Sequence, residues 1–172
     1  MKSQSAYSIE QLTFSYRNGR RVPVGPGDTW VLNEVTFEVP AGESLGVIGP
    51  NGSGKTSLLK LLARVLRPQA GRIELFGGRL AEMPQDAVAR TVAFVPQDSQ
   101  QLFPFTIAET VLMGRYPHHR SFLGFGWEGP EDFRLAEQSM QELDIAHLAH
   151  RALSEVSGGE RQRAIIARAL TQ

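Results

Sequence analysis

Apolar positions near the N-terminus recur at a period close to two. Ile9, Leu12, Phe14 and Tyr16 form a mostly alternating set, and Val35, Phe37 and Val39 alternate with Glu34, Thr36 and Glu38. Both stretches predict antiparallel strands with one face in water. Between them, Gly19, Pro23, Gly25, Pro26 and Gly27 cluster within residues 18–28, which predicts a loop. Residues 44–49 (SLGVIG) carry apolar side chains on both parities, the pattern of a parallel strand covered on both faces. Residues 91–95 (TVAFV) predict a further strand that ends in Pro96-Gln97. That places the Gln97 amide at the carboxyl edge of a sheet, where open α/β sheets bind ligands.

The period lengthens in four places. Residues 57–66 (SLLKLLARVL) predict a helix that Pro68 terminates. Thr106 and Glu109 stand at the spacing of a capping box and open a helix through Val111 and Met113. Pro130 starts another, with Phe133, Ala136, Met140 and Leu143 spaced 3-4-3 as a core stripe. Ser157-Gly158-Gly159 opens the last, over residues 160–170, with a serine near the N-cap.

Composition narrows the class of protein. The 172 residues are 41% apolar and 21% charged, with 18 basic side chains against 18 acidic ones, the balance of an ordinary soluble protein. No apolar run approaches the roughly 18 residues of a membrane span, and the N-terminus has no signal-like apolar core. With no cysteine there is no disulfide, thiolate metal site or cysteine nucleophile, and the cytosol is the default compartment. The neutral charge argues against a nucleic-acid partner. Any bound phosphate must therefore be held by a local site.

That site is readable. GPNGSGKT, residues 49–56, lies between the predicted strand 44–49 and the helix that follows, the context that G-x-x-x-x-G-K-[ST] requires. Gly49, Gly52 and Gly54 allow backbone N–H groups to surround a polyphosphate, and the helix N-terminus adds partial positive charge. Lys55 would reach the β- and γ-phosphates, and the Thr56 hydroxyl would ligate Mg²⁺. Ser157-Gly158-Gly159 is a second candidate anion-binding helix end. The pairs His118-His119 and His147-x-x-His150 carry no acidic ligand with them and are read as solvated or partner-facing rather than metal-binding. There is no G-x-S-x-G elbow for a hydrolase.

GPNGSGKT, then Pro96-Gln97, then VSGGERQRAIIARAL, in that order and rough spacing, resemble the ATP-binding subunit of an ABC transporter over essentially the whole chain. The resemblance implies an α/β P-loop NTPase fold with a RecA-like core, an antiparallel β flank and a helical subdomain, incomplete at the C-terminus. Its parts would be residues 1–97 (flank and Walker A half), 98–155 (helical subdomain) and 156–172 (signature motif and helix). It implies ATP and Mg²⁺ as cofactors. The nucleotide contacts would be Gly49, Pro50, Asn51, Gly52, Ser53, Gly54, Lys55, Thr56 and Ser57 of the Walker A loop, with Ser157, Gly158, Gly159 and Glu160 of the signature supplied to a second copy. Tyr16 matches the aromatic that stacks on adenine. Gln97 matches the Q-loop glutamine, a catalytic-site residue that with Thr56 touches Mg²⁺ and senses the membrane partner. The signature departs from the family's common form at Val156, usually Leu, and Glu160, often Gln.

Residues 112–120 (LMGRYPHHR) and 100–106 (QQLFPFT) resemble the subgroup that energises import of iron chelates, haem or cobalamin. Implied partners are a second ATP-binding domain, most simply an identical one, and membrane-spanning permease subunits that dock over residues 102–120. The implied place is the inner face of the cell membrane, on its cytoplasmic side. Relatives carry, beyond the point matching Gln172, a strand ending in a Mg²⁺-holding aspartate, a catalytic glutamate and a switch histidine. The chain alone is therefore expected to hydrolyse ATP poorly, to leave a gap in the core sheet and to be poorly soluble. Alternatives are a non-transport ATPase of the same superfamily, such as an assembly or repair factor, and a GTPase or small-molecule kinase. Against the latter stand the missing Asn-Lys-x-Asp guanine motif and the second phosphate-binding helix.

Overall fold

The computed structural model describes residues 5–16, 30–97, 104–118 and 128–172. The expected loop 18–28, residues 100–103, and His119 and Arg120 lie outside the described residues. The chain divides into two compact units, Met1–Pro84 and Gln85–Gln172.

The first unit holds β1 (Ser5–Phe14), β2 (Leu32–Pro40), α1 (Lys55–Leu62), β3 (Ala70–Leu75) and β4 (Gly78–Arg79). The strands form one antiparallel sheet in the order β2-β1-β3-β4. The expected β1–β2 pair is present, and its register explains an irregular spacing. Ile9 faces Phe37 while Leu12 faces Val35, three steps on β1 against two on β2. Gln11, at φ 47, takes up the extra residue as a bulge, so Ile9 and Leu12 are both buried although they lie three apart. The β3–β4 hairpin was not anticipated. Its two-residue turn, Phe76-Gly77, has φ 48 and 79, the doubly left-handed geometry that matches the twist of paired strands.

Three expectations about this half of the sequence are corrected. Residues 44–49 form no strand, and Leu45, Val47 and Ile48 are 54%, 37% and 95% exposed. Thr91 closes a helix, and residues 92–96 have no regular structure. A strand apolar on both parities needs ladder partners for its N–H and C=O groups, and among the described residues neither segment finds any. Helix α1 stops at Leu62 rather than Leu66. Arg64 turns left-handed at φ 55, and the N–H groups of Val65 and Leu66 both return to the Lys60 carbonyl. The stop thus comes before Pro68 can impose one.

The second unit contains α2 (Gln85–Thr91), α3 (Ile107–Leu112), a 3₁₀ turn (Met113–His118), α4 (Pro130–Glu142) and α5 (Gly158–Thr171). Its core gathers Ile107, Val111, Ala136, Met140, Ile145, Leu148 and Ile165 with their neighbours. The capping box forms at Thr106: its Oγ1 accepts from the Glu109 N–H at 3.2 Å, and the Glu109 carboxylate accepts from the Thr106 N–H at 2.7 Å. Pro130 opens α4 as expected. Of the predicted stripe, Ala136 and Met140 are buried and Leu143 packs on the core. Phe133 is corrected to the surface at 56% exposure, because no described element covers its side chain.

The segment LMGRYPH acquires a structural role. A Cβ on Gly114 would lie 2.3 Å from the Arg168 carbonyl oxygen, so the 3₁₀ turn lies against the α5 backbone. Arg115 then donates to Asp132 at 2.8 Å and to the Thr171 carbonyl at 2.9 Å. One guanidinium joins the turn, α4 and the end of α5. Among the described residues no helix is long and apolar enough to cross a membrane.

Candidate functional site

The geometry of residues 49–56 follows from Gly54. It is the N-cap of α1 with φ 89 and ψ 2, and a Cβ there would stand 2.7 Å from the Val31 carbonyl oxygen. Only glycine fits. No side chain caps α1, and its first turn holds no acidic residue. Among the described residues, the backbone N–H groups of Gly52, Gly54, Lys55 and Thr56 meet no acceptor. The helix end therefore presents donors and partial positive charge with no internal counterpart.

Lys55 adds a full cation. Its Nζ donates to the carbonyl oxygens of Gly49 and Pro50, both at 2.8 Å. Carbonyls orient an ammonium without neutralising it, so the charge stays available to an anion. Pro50, Asn51, Gly52, Ser53 and Thr56 are exposed around it. A donor-rich loop, a lysine and an exposed hydroxyl together fit a polyphosphate accompanied by a divalent cation, which is what ATP with Mg²⁺ demands.

Tyr16 joins this unit from the end of β1. Its hydroxyl lies 2.8 Å from the hydroxyl of Ser57, the third residue of α1. Its ring meets Phe14 edge-on, with centroids 5.0 Å apart and planes at 79°. Phe14 is buried and Tyr16 is 61% exposed, so of the two aromatics Tyr16 is the one open to a ligand. A second tyrosine, absent from the sequence-based candidates, holds the other end of the helix. The Tyr7 hydroxyl donates to the Leu62 carbonyl at 3.0 Å, and burial pushes its pKa up to about 12. No local pattern marks that contact, because the partners lie 55 positions apart.

In the second unit, Ser157 is the N-cap of α5, as expected. Its Oγ accepts from the Glu160 N–H at 3.3 Å, and the Glu160 carboxylate accepts from the Ser157 N–H at 2.7 Å. Hydrogen bonding to the carboxylate by the Ser157 side chain, and then by the Ser157 backbone N–H, holds the Glu160 carboxyl below its usual range. Gly158 and Gly159 are exposed, with open space where a Cβ would stand. Val156 is buried in the helical core, which accounts for an apolar residue before the serine. Gln97 is exposed at the end of the irregular stretch 92–96 rather than at a strand edge.

A family profile described as ABC transporter matches residues 32–172. The chain belongs to the ABC transporter family. The ABC chain is 44% identical over 143 residues to the "Hemin import ATP-binding protein HmuV" of Gloeobacter violaceus, covering 83% of itself and 50% of that protein. It is 36% identical over 149 residues to the "Iron(3+)-hydroxamate import ATP-binding protein FhuC" of Bacillus subtilis, covering 87% of itself and 54% of that protein. Among solved structures, a metal-chelate type ABC transporter in an inward-facing conformation superposes with a TM-score of 0.73 at 31% identity. That match covers 98% of this chain and 56% of the other. The ABC chain thus spans about half the length of these relatives, and its P-loop ATPase fold is theirs.

Proposed function

We propose that this chain is the ATP-binding part of an ABC import motor, with an iron chelate, haem or cobalamin as the cargo class. The observation that carries the nucleotide assignment is the uncapped, acid-free N-terminus of α1 beside Lys55. Lys55 exchanges the Gly49 and Pro50 carbonyls for the β- and γ-phosphates, while the loop N–H groups from Gly49 to Thr56 surround them. Thr56 and Gln97 would hold Mg²⁺, which when bound neutralises phosphate charge. Tyr16 receives the adenine, and Ser57 follows the loop into α1.

Ser157, Gly158 and Gly159 face the nucleotide of a second, identical copy, and Glu160 fixes that loop through its bonds to Ser157. Residues 102–120 dock on permease subunits at the cytoplasmic face of the membrane. The cargo class is carried over from the relatives' names; the nucleotide site stands on the geometry. Titration with ATP tests it. Lys55→Ala is expected to weaken binding roughly tenfold to a hundredfold, the loss of a charge-assisted bond of about 1.5 to 3 kcal/mol. An unchanged titration curve would remove the assignment.

A further inference from the structure

The Tyr16 side chain is 61% exposed, yet it is fixed from three directions. The side chain of Gln69 brackets the backbone just before it: Oε1 accepts from the Ser15 N–H at 3.0 Å, and Nε2 donates to the Ser15 carbonyl at 2.7 Å. The Gln69 backbone N–H in turn donates to the Thr13 carbonyl at 3.0 Å, next to the last β1–β3 pair, Thr13 with Ala70. A side-chain amide thus continues the ladder to Ser15, two residues past the last β1–β3 pair. It supplies the donor and the acceptor that a neighbouring strand would have offered. The edge of Phe14 fixes the ring plane, and the buried Ser57 hydroxyl fixes the ring's far tip.

Such bracketing removes the conformational freedom that an exposed residue at a strand end ordinarily keeps, and that a ligand would otherwise have to remove on binding. Resting on the reading of Tyr16 as the base platform, we propose that Gln69 is a positioning residue that presets Tyr16 for the nucleobase without touching nucleotide itself, while the Ser57 hydroxyl holds the tip of the ring. The dependence is confined to the base. Gln69 lies immediately before β3, and its polar contacts are with Thr13 of β1 and with Ser15, so phosphate affinity is independent of it.

Two ligands separate base from phosphate: ATP and inorganic tripolyphosphate, each with Mg²⁺, titrated calorimetrically on the full chain. Gln69→Ala is expected to weaken ATP binding threefold to tenfold and leave tripolyphosphate binding unchanged. Tyr16→Phe, which keeps the ring and removes only the bond to Ser57, is expected to weaken ATP binding twofold to fivefold, again with tripolyphosphate unchanged. In a Tyr16→Ala background, Gln69→Ala is expected to have no further effect on ATP. Equal losses for both ligands, a Gln69→Ala protein with native ATP affinity, or additive losses in the double variant would each overturn the positioning role. If Tyr16→Ala alone leaves ATP affinity native, the platform reading itself fails along with it. If Tyr16→Ala weakens ATP while Gln69→Ala and Tyr16→Phe do not, the platform stands and only the positioning role is lost.

Discussion

Two glycine-containing helix starts of this chain, those of α1 and α5, are dressed in opposite ways. Helix α1 begins at Gly54 with no capping side chain and no acid in its first turn, and its neighbour Lys55 is cationic. Helix α5 begins at Ser157 with both halves of a capping box closed by Glu160. The first end lacks acceptors for its own donors and carries unopposed positive charge, so an anion completes it. The second supplies its own acceptors and sets a carboxylate against the helix dipole. In the separate chain the second end has less to gain from phosphate. That fits the proposal that this loop meets nucleotide already held by another copy.

The far ends of the two helices differ too. The α1 carbonyl at Leu62 is met by a phenol, whereas the α5 carbonyl at Thr171 is met by a guanidinium that also binds Asp132. This contrast gives the largest expected effect. Arg115→Ala removes an ion pair whose side chains are 14% and 13% exposed, and should destabilise the helical unit by about 3 kcal/mol. Chemical denaturation followed by circular dichroism reads that loss, and a change below about 1 kcal/mol would show the join to be peripheral.

Gly54→Ala comes next. A left-handed alanine whose Cβ approaches the Val31 carbonyl should cost about 2 to 3 kcal/mol and remove most ATP affinity. Native stability in that variant would mean that the uncapped end is not held by its backbone geometry. Ser157→Ala should cost only about 1 kcal/mol, the worth of an N-cap, and should leave ATP binding by the single chain unchanged. If it weakens that binding tenfold, the division of labour between the two helix ends is wrong.

The smallest effect lies in alkaline solution. Tyr7 has its pKa raised from 10.0 to about 12, so the folded state keeps a proton that the unfolded chain releases. Its contribution is complete below pH 10 and is lost as pH rises toward about 12. Tyr7→Phe should flatten the fall in stability across that window, and an unaltered slope would show that the phenol is solvated in the folded state.

The features legible in sequence were those whose partners lie within a few residues. GPNGSGKT, the Thr106–Glu109 box, Pro130 at the start of α4 and Ser157 at the start of α5 are local arrangements, and each stands where its residues alone dictate. Ranges that depended on distant partners were the ones missed. Residues 44–49 and 91–95 have the composition of buried strands, but composition cannot supply a ladder. Phe133 has the spacing of a core residue, but spacing cannot supply a cover.

By itself, then, the sequence determined the family, the phosphate loop and the helix starts, because turns, caps and glycine dihedrals are set by covalent neighbours. Only the tertiary structure decided that Gln11 bulges so that Ile9 and Leu12 share one core, and that Gly114 lets a turn lie on α5. It alone brought Tyr7 to the end of α1, Ser57 to the Tyr16 hydroxyl and Gln69 to Ser15. Those contacts join residues 41 to 55 positions apart, and closing such loops is decided by the packing of the whole unit rather than by any local preference.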